Sequence, residues 1–195
     1  MHLVASLFFL LTLKVINTAS KTPNMSTNFA LGAGCYWGTE KYVKKDFQEM
    51  FPNSILSAKV GFMSPDPNAM KNPTYRQVCS GSTGHVEVLN VELNDPEKHF
   101  EKLVRFFFQF HDPTTKNRQG NDVGTQYASC IFCSDEKQTN IAKKVINELQ
   151  GHIDSGRIKS YAKKKVETYI ANTTAFYEAH EDHQEYLMKN PNGYW

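Results

Sequence analysis

Apolar residues recur along the chain with two alternating periods, and each switch of period marks the edge of an element. Asn28 to Leu31 reads as a short strand that runs into a Gly-rich turn at Gly32, Ala33 and Gly34. A helix then starts near Cys35, with Tyr36, Val43 and Phe47 at helical spacing. Ile55 to Phe62 is the next strand. From Ser64 to Thr74, Pro65, Pro67 and Pro73 require irregular backbone, a setting suited to a site-forming loop. His85 to Leu93 alternates as a strand, after which Asp95 caps and Pro96 begins a helix carrying Phe100, Leu103, Val104 and Phe107 inward. His111 to Thr125 is a long polar loop, and Gln126 to Phe132 a further strand. A helix from about Asp135 to Gln150 turns Ile141, Val145 and Leu149 to one side and ends at Gly151. Val166 to Ile170 is the last strand, and Glu178 to Met188 a closing short helix. Strands interleaved with helices in mixed order predict an α+β two-layer sandwich.

Composition narrows this to one domain. The chain has 195 residues, 40% hydrophobic and 12% aromatic, enough for a single well-filled core over residues 25–195. Its formal net charge of +2 provides no strong field toward nucleic acid or anionic lipid. Residues 1–24 stand apart as a leader. Leu3 to Leu13 has the length of a signal h-region and not of a membrane span, which needs ~20 residues. Two destinations follow: the secretory pathway if that stretch acts as a signal, the cytoplasm if it is not used. A monomer is expected.

The candidate chemistry centres on Cys35. It lies where a strand ends, a Gly-rich turn follows and a helix begins, so unpaired N–H groups and the positive end of a helix dipole should lower its pKa. The plain alternative is a small residue at a tight turn. Tyr36 and Trp37 follow directly, and at least one of them should wall an apolar pocket. Glu87 shares strand parity with Leu89, Val91 and Leu93, which would desolvate its carboxyl and let it hold a proton as a general acid. A strand end in solvent is the equal alternative. Tyr75 and Tyr127 adjoin long loops and offer hydroxyl donors to a developing oxyanion, or simply pack.

Other constellations read as structural. Cys130 and Cys133 have a redox or zinc spacing, yet strand alternation sends them to opposite faces and favours a buried structural pair. His180 and His183 could ligate a metal, but they lack the zincin pattern and read as solvated surface histidines. No metal site is expected. A papain-like thiol hydrolase would use Cys35 and His180, but it leaves Glu87 and Tyr75 without a role.

Five motifs, taken in order, carry a resemblance: Gly34-Cys35-Tyr36-Trp37-Gly38; Pro73-Thr74-Tyr75-Arg76-Gln77-Val78-Cys79-Ser80-Gly81; Thr83-Gly84-His85-Val86-Glu87; His111-Asp112-Pro113-Thr114; and Arg118-Gln119-Gly120-Asn121-Asp122-Val123-Gly124-Thr125-Gln126-Tyr127. From about Phe29 to Tyr194 the chain resembles peptide methionine sulfoxide reductase A. The resemblance implies an α+β fold, expected as a two-layer sandwich with a mixed sheet and a ferredoxin-like plait core. It also implies thiol chemistry without metal or bound organic cofactor. Cys35 would attack the sulfoxide sulfur of oxidised methionine in peptides or proteins, Glu87 would protonate the oxygen, and Tyr75 and Tyr127 would hydrogen-bond to it. Tyr36 and Trp37 would receive the methyl group, with Asp122 shaping the pocket. The product is a Cys35 sulfenic acid that must be reduced before another turnover.

Two departures from the family pattern stand out. Tyr36 occupies a position where phenylalanine is commoner, and Trp195 follows Asn192-Gly193-Tyr194 where many relatives carry a resolving cysteine. Regeneration is therefore expected from an external thiol of a thioredoxin, glutaredoxin or glutathione system, with Cys79, Cys130 and Cys133 as internal alternatives.

Overall fold

The computed structural model describes residues 24–193. Residues 1–23 of the leader and the terminal Tyr194-Trp195 lie outside the described residues. Strand β1 (Asn28–Ala33) leads into helix α1 (Tyr36–Lys41), which continues through a π-helical stretch, Tyr42–Phe47, into the short α2 (Gln48–Met50). There follow β2 (Ile55–Met63), α3 (Tyr75–Cys79), β3 (Val86–Leu93) and α4 (Pro96–Phe107). A two-residue ribbon, β4 (Arg118–Gln119) and β5 (Asp122–Val123), precedes a 3-10 turn at Thr125–Tyr127. Then come β6 (Ser129–Cys133), α5 (Glu136–Asp154), β7 (Tyr169–Asn172), β8 (Tyr177–Glu178), a second 3-10 turn at Glu181–His183 and α6 (Tyr186–Lys189).

The main sheet runs β7-β6-β1-β3-β2-β8. Its four central strands β6-β1-β3-β2 pair antiparallel, and α1 and α4 make the connections from β1 to β2 and from β3 to β6. That is the ferredoxin-like plait. Parallel pairing of β7 with β6 makes the sheet mixed.

Strand alternation sorts side chains between two unequal cores. Phe29, Leu31, Leu89, Val91 and Leu93 meet Val43 and Phe47 of the π-helical stretch, Phe100, Leu103, Val104 and Phe107 of α4, and Ala142, Val145, Leu149 and Ile153 of α5. The opposite face carries a smaller cluster of Ala30, Val86, Val88, Cys130 and Phe132, to which Tyr169 and Phe176 add partial cover. Cys130 and Cys133 thus fall on opposite faces, each fully buried.

Several boundaries differ from expectation. Gly32 and Ala33 stay within β1, and only Gly34 takes a left-handed φ of 84°. Gln126 and Tyr127 belong to a 3-10 turn instead of the next strand, and the last long strand is Tyr169–Asn172 instead of Val166–Ile170. Gly151 lies inside α5, which runs on to Asp154 because Ile153 still finds the core; Gly156, at φ 72°, follows the helix end. The expected helix Glu178–Met188 is broken into a 3-10 turn and α6 by Glu185 at a left-handed φ of 58°. The polar loop after His111 holds the β4–β5 ribbon. Within it Asp112 accepts from Thr114 N at 2.9 Å and from Ala162 N at 2.8 Å, so that motif staples two loops.

Candidate active site

Cys35 sits between the end of β1 and the start of α1. The turn needs Gly34: beyond its left-handed φ, a Cβ there would lie 2.5 Å from that of Gln119. This contact presses the ribbon against the cysteine. Seven of the residues brought together on one cavity of about 350 Å3 are those singled out above: Cys35, Tyr36, Trp37, Tyr75, Glu87, Asp122 and Tyr127. Tyr186 of α6 is the eighth and was not foreseen.

Glu87 is 2% exposed, on the helix-facing side of β3 together with Leu89 and Leu93. Its Oε2 accepts the Tyr36 backbone N–H at 3.2 Å. Burial pushes its carboxyl up to about 8, the Tyr36 N–H opposes the rise, and the nearby Asp122 carboxylate adds to it. A carboxyl in that state keeps its proton at neutral pH.

The thiol is where expectation fails. Cys35 caps α1 and receives the N–H groups of Trp37 and Gly38, both of which favour thiolate. Burial outweighs them, the Glu87 charge adds to the rise, and the thiol is pushed up to about 12. The two N–H groups at the helix start do not offset removal from water. The resting group is a protonated thiol beside a protonated carboxyl.

Burial likewise raises the phenols of Tyr75 and Tyr127, which keeps both as donors. The Tyr75 hydroxyl hydrogen-bonds to Cys79, one turn on in α3. At the apolar end, Trp37 stacks on Tyr186 with centroids 3.9 Å apart and on His183 at 5.7 Å; His183 also meets Tyr75 at 4.7 Å. His183 is therefore part of the aromatic wall and not a surface histidine, whereas His180 is exposed and pairs with Asp182 at 3.1 Å. The Tyr36 hydroxyl, Trp37 Nε1 and His183 Nδ1 are buried without a hydrogen-bond partner among the described residues.

Non-local anchors that the sequence did not flag hold this wall in place. Glu40 Oε2 accepts the Glu185 N–H at 2.7 Å, and the Gln184 amide brackets Val60, accepting its N–H at 3.0 Å and donating to its carbonyl at 2.9 Å. The Gln184-Glu185-Tyr186 run after His183 is a local signal that could have flagged the segment. Among the described residues, no group of three or more His, Cys, Asp or Glu is arranged to hold a metal ion, and no helix is long and apolar enough to cross a membrane.

The chain's similarity to known proteins covers the same region. The family model described as peptide methionine sulfoxide reductase matches residues 27–195. A probable peptide methionine sulfoxide reductase of Schizosaccharomyces pombe is 40% identical over 164 residues, 84% of this chain and 89% of that protein. Among solved structures, Mxr1 of Saccharomyces cerevisiae in its reduced form superposes with a TM-score of 0.73 at 35% identity, covering 88% of this chain and 89% of that one. Methionine sulfoxide reductase A of Corynebacterium diphtheriae does so with a TM-score of 0.70 at 31% identity, covering 93% and 82%.

Proposed function

Because this chain belongs to the peptide methionine sulfoxide reductase family, a family of oxidoreductases, we propose that its Cys35 cavity reduces methionine S-sulfoxide, free or in proteins, and so repairs oxidised proteins. One observation carries the assignment of roles: a buried carboxyl that holds its proton near neutrality shares a cavity with a single nucleophilic sulfur and two phenol donors.

The sulfoxide oxygen is a strong acceptor, and its basicity rises as the S–O bond breaks. Tyr75 and Tyr127 donate to it, and Glu87 transfers its proton to it. Cys35 sulfur bonds to the substrate sulfur as its own proton passes to the vacated Glu87 carboxylate. The oxygen ends on Cys35 as a sulfenic acid, methionine leaves, and the net proton count is unchanged. Approach of the substrate's sulfur, which carries partial positive charge, favours the developing thiolate that burial otherwise suppresses. Trp37, with Tyr36, Tyr186 and His183 around it, receives the methyl group, and Asp122 shapes the opposite wall. The sulfenic acid then needs an external thiol of the thioredoxin, glutaredoxin or glutathione type.

Turnover of the two methionine sulfoxide epimers with dithiothreitol tests this. Methionine should form from the S epimer alone, and Cys35→Ser should abolish it. An unchanged rate in that variant would overturn the reading.

A further inference from the structure

Cys35 borders a second cavity, of about 290 Å3, which is also lined by residues of α1. It is lined by Thr39, Tyr42, Phe110 and Asn121 among others, and it shares only Cys35 and Asp122 with the substrate cavity. Tyr36 and Trp37 of α1 line the substrate cavity, whereas Gly38 and Thr39 of α1 and Tyr42 of the π-helical stretch line the second one. The sulfur is thus a thin partition between two chambers.

The second chamber also holds an unused polar group. Thr39 is 2% exposed, and its Oγ1 is buried without a hydrogen-bond partner among the described residues. Leaving such a hydroxyl unpaired costs about 1–3 kcal/mol, a cost a bound guest would relieve.

We propose that this chamber is the entry and binding site of the reducing thiol. The inference rests on the proposed function. After methionine formation the oxygen on Cys35 faces Glu87, Tyr75 and Tyr127 in the substrate cavity. A nucleophile that displaces oxygen from divalent sulfur enters along the extension of the S–O bond, away from the leaving oxygen. For Cys35 the second chamber is the cavity that leads there. Tyr42 stacks on Phe110 at 4.8 Å to form an apolar wall for the thiol's carbon chain, and the Thr39 hydroxyl donates to the incoming thiolate.

The chemistry balances. Thiolate sulfur bonds to Cys35 sulfur and is oxidised, the S–O bond breaks, and the oxygen takes a proton from Glu87 and leaves as water; the proton the first thiol released on ionising returns to Glu87 through solvent. A second thiol cleaves the mixed disulfide, bonding to the external sulfur; Cys35 regains a proton and the external disulfide departs. Two thiols supply the two electrons.

The test separates the two half-reactions. Enzyme is first mixed with one equivalent of methionine S-sulfoxide without reductant, and methionine is counted. The sulfenic acid is then mixed with dithiothreitol, glutathione or thioredoxin, and its loss is followed by dimedone trapping and intact mass. Asn121→Trp, which fills the chamber from its exposed rim, and Thr39→Val, which deletes only the hydroxyl, should each form methionine at the wild-type rate. Re-reduction should slow at least tenfold for Asn121→Trp and severalfold for Thr39→Val. Slowing with dithiothreitol and glutathione identifies a small thiol as the guest; slowing with thioredoxin alone identifies a protein-borne one. Wild-type re-reduction in both variants overturns the inference, as does a disulfide between Cys35 and another cysteine of the chain formed before reductant is added. If the wild type forms no methionine in the first step, the proposed function itself has failed.

Discussion

Glu87 Oε2 and the Tyr36 backbone N–H meet at 3.2 Å, and this bond joins the middle of the sheet to the first turn of the helix that Cys35 caps. The acid is therefore held in register with the thiol by the backbone N–H of the residue that follows Cys35. Were Glu87 ionised at rest, its charge would oppose any thiolate on Cys35; burial instead leaves it protonated.

Activity should follow that proton. With the carboxyl pushed up to about 8, kcat/KM should hold through neutrality and fall above pH 8. Glu87→Gln should lose 10²–10⁴-fold in rate, the usual range for a positioned proton donor, and lose that alkaline limb. A pH profile of methionine formation for both forms checks this.

Stability should move the opposite way in the same variant. The folded pKa of Glu87 is raised, so its stabilising proton is fully present below the ordinary value of 4.5 and its contribution is lost as pH rises toward about 8. Glu87→Gln should therefore be more stable than wild type at pH 8, by on the order of 1 kcal/mol or more, with a higher melting temperature, and should melt at nearly the same temperature as wild type at pH 4. Thermal melts at the two pH values decide it.

Cys35 should react as a suppressed thiol. At pH 7 its alkylation by iodoacetamide should be slower than that of free cysteine, because burial holds its pKa up. At pH 9, where the wild-type carboxylate is ionised, Glu87→Gln should be alkylated several times faster than wild type. Peptide mapping by mass spectrometry reads both.

Local rules recovered those elements whose signals were local. Asp95 caps α4 by accepting the Lys98 N–H at 3.3 Å, and the parity of β3 placed Glu87 with Leu89 and Leu93 on the buried side. What escaped depends on distant partners. His183 read as a surface residue because nothing nearby in sequence announces Trp37 and Tyr75, which fold against it. Gly151 read as a stop because a helix end is set by what the next turn can bury, and Ile153 buries. The Cys35 pKa took the wrong sign because the capping N–H groups are visible in sequence order, while burial and Glu87 arrive through the tertiary fold.

Tyr75→Phe and Tyr127→Phe should each cost ~10-fold or more in kcat with little change in KM, since their hydroxyls are assigned to the oxygen as it gains charge. Trp37→Ala should instead raise KM strongly, by removing the ring that Tyr186 and His183 hold in place. Steady-state kinetics on the S epimer separate the two patterns.

The aromatic wall depends on an edge strand with no slack. At Gly61 of β2 an added Cβ would lie 2.3 Å from the Tyr177 carbonyl and 2.6 Å from the Phe176 ring, so Gly61→Ala must push β8 away from the sheet. Overpacking of this kind costs about 1–3 kcal/mol. The displaced strand leads directly into the turn bearing His183 and into α6 with Tyr186, so the damage should reach the methyl pocket before it reaches Cys35. Gly61→Ala is expected to lower the melting temperature and raise KM, while Cys35 alkylation stays at the wild-type rate. Faster alkylation of Cys35 would mean that the edge strand and the thiol are coupled, contrary to this account.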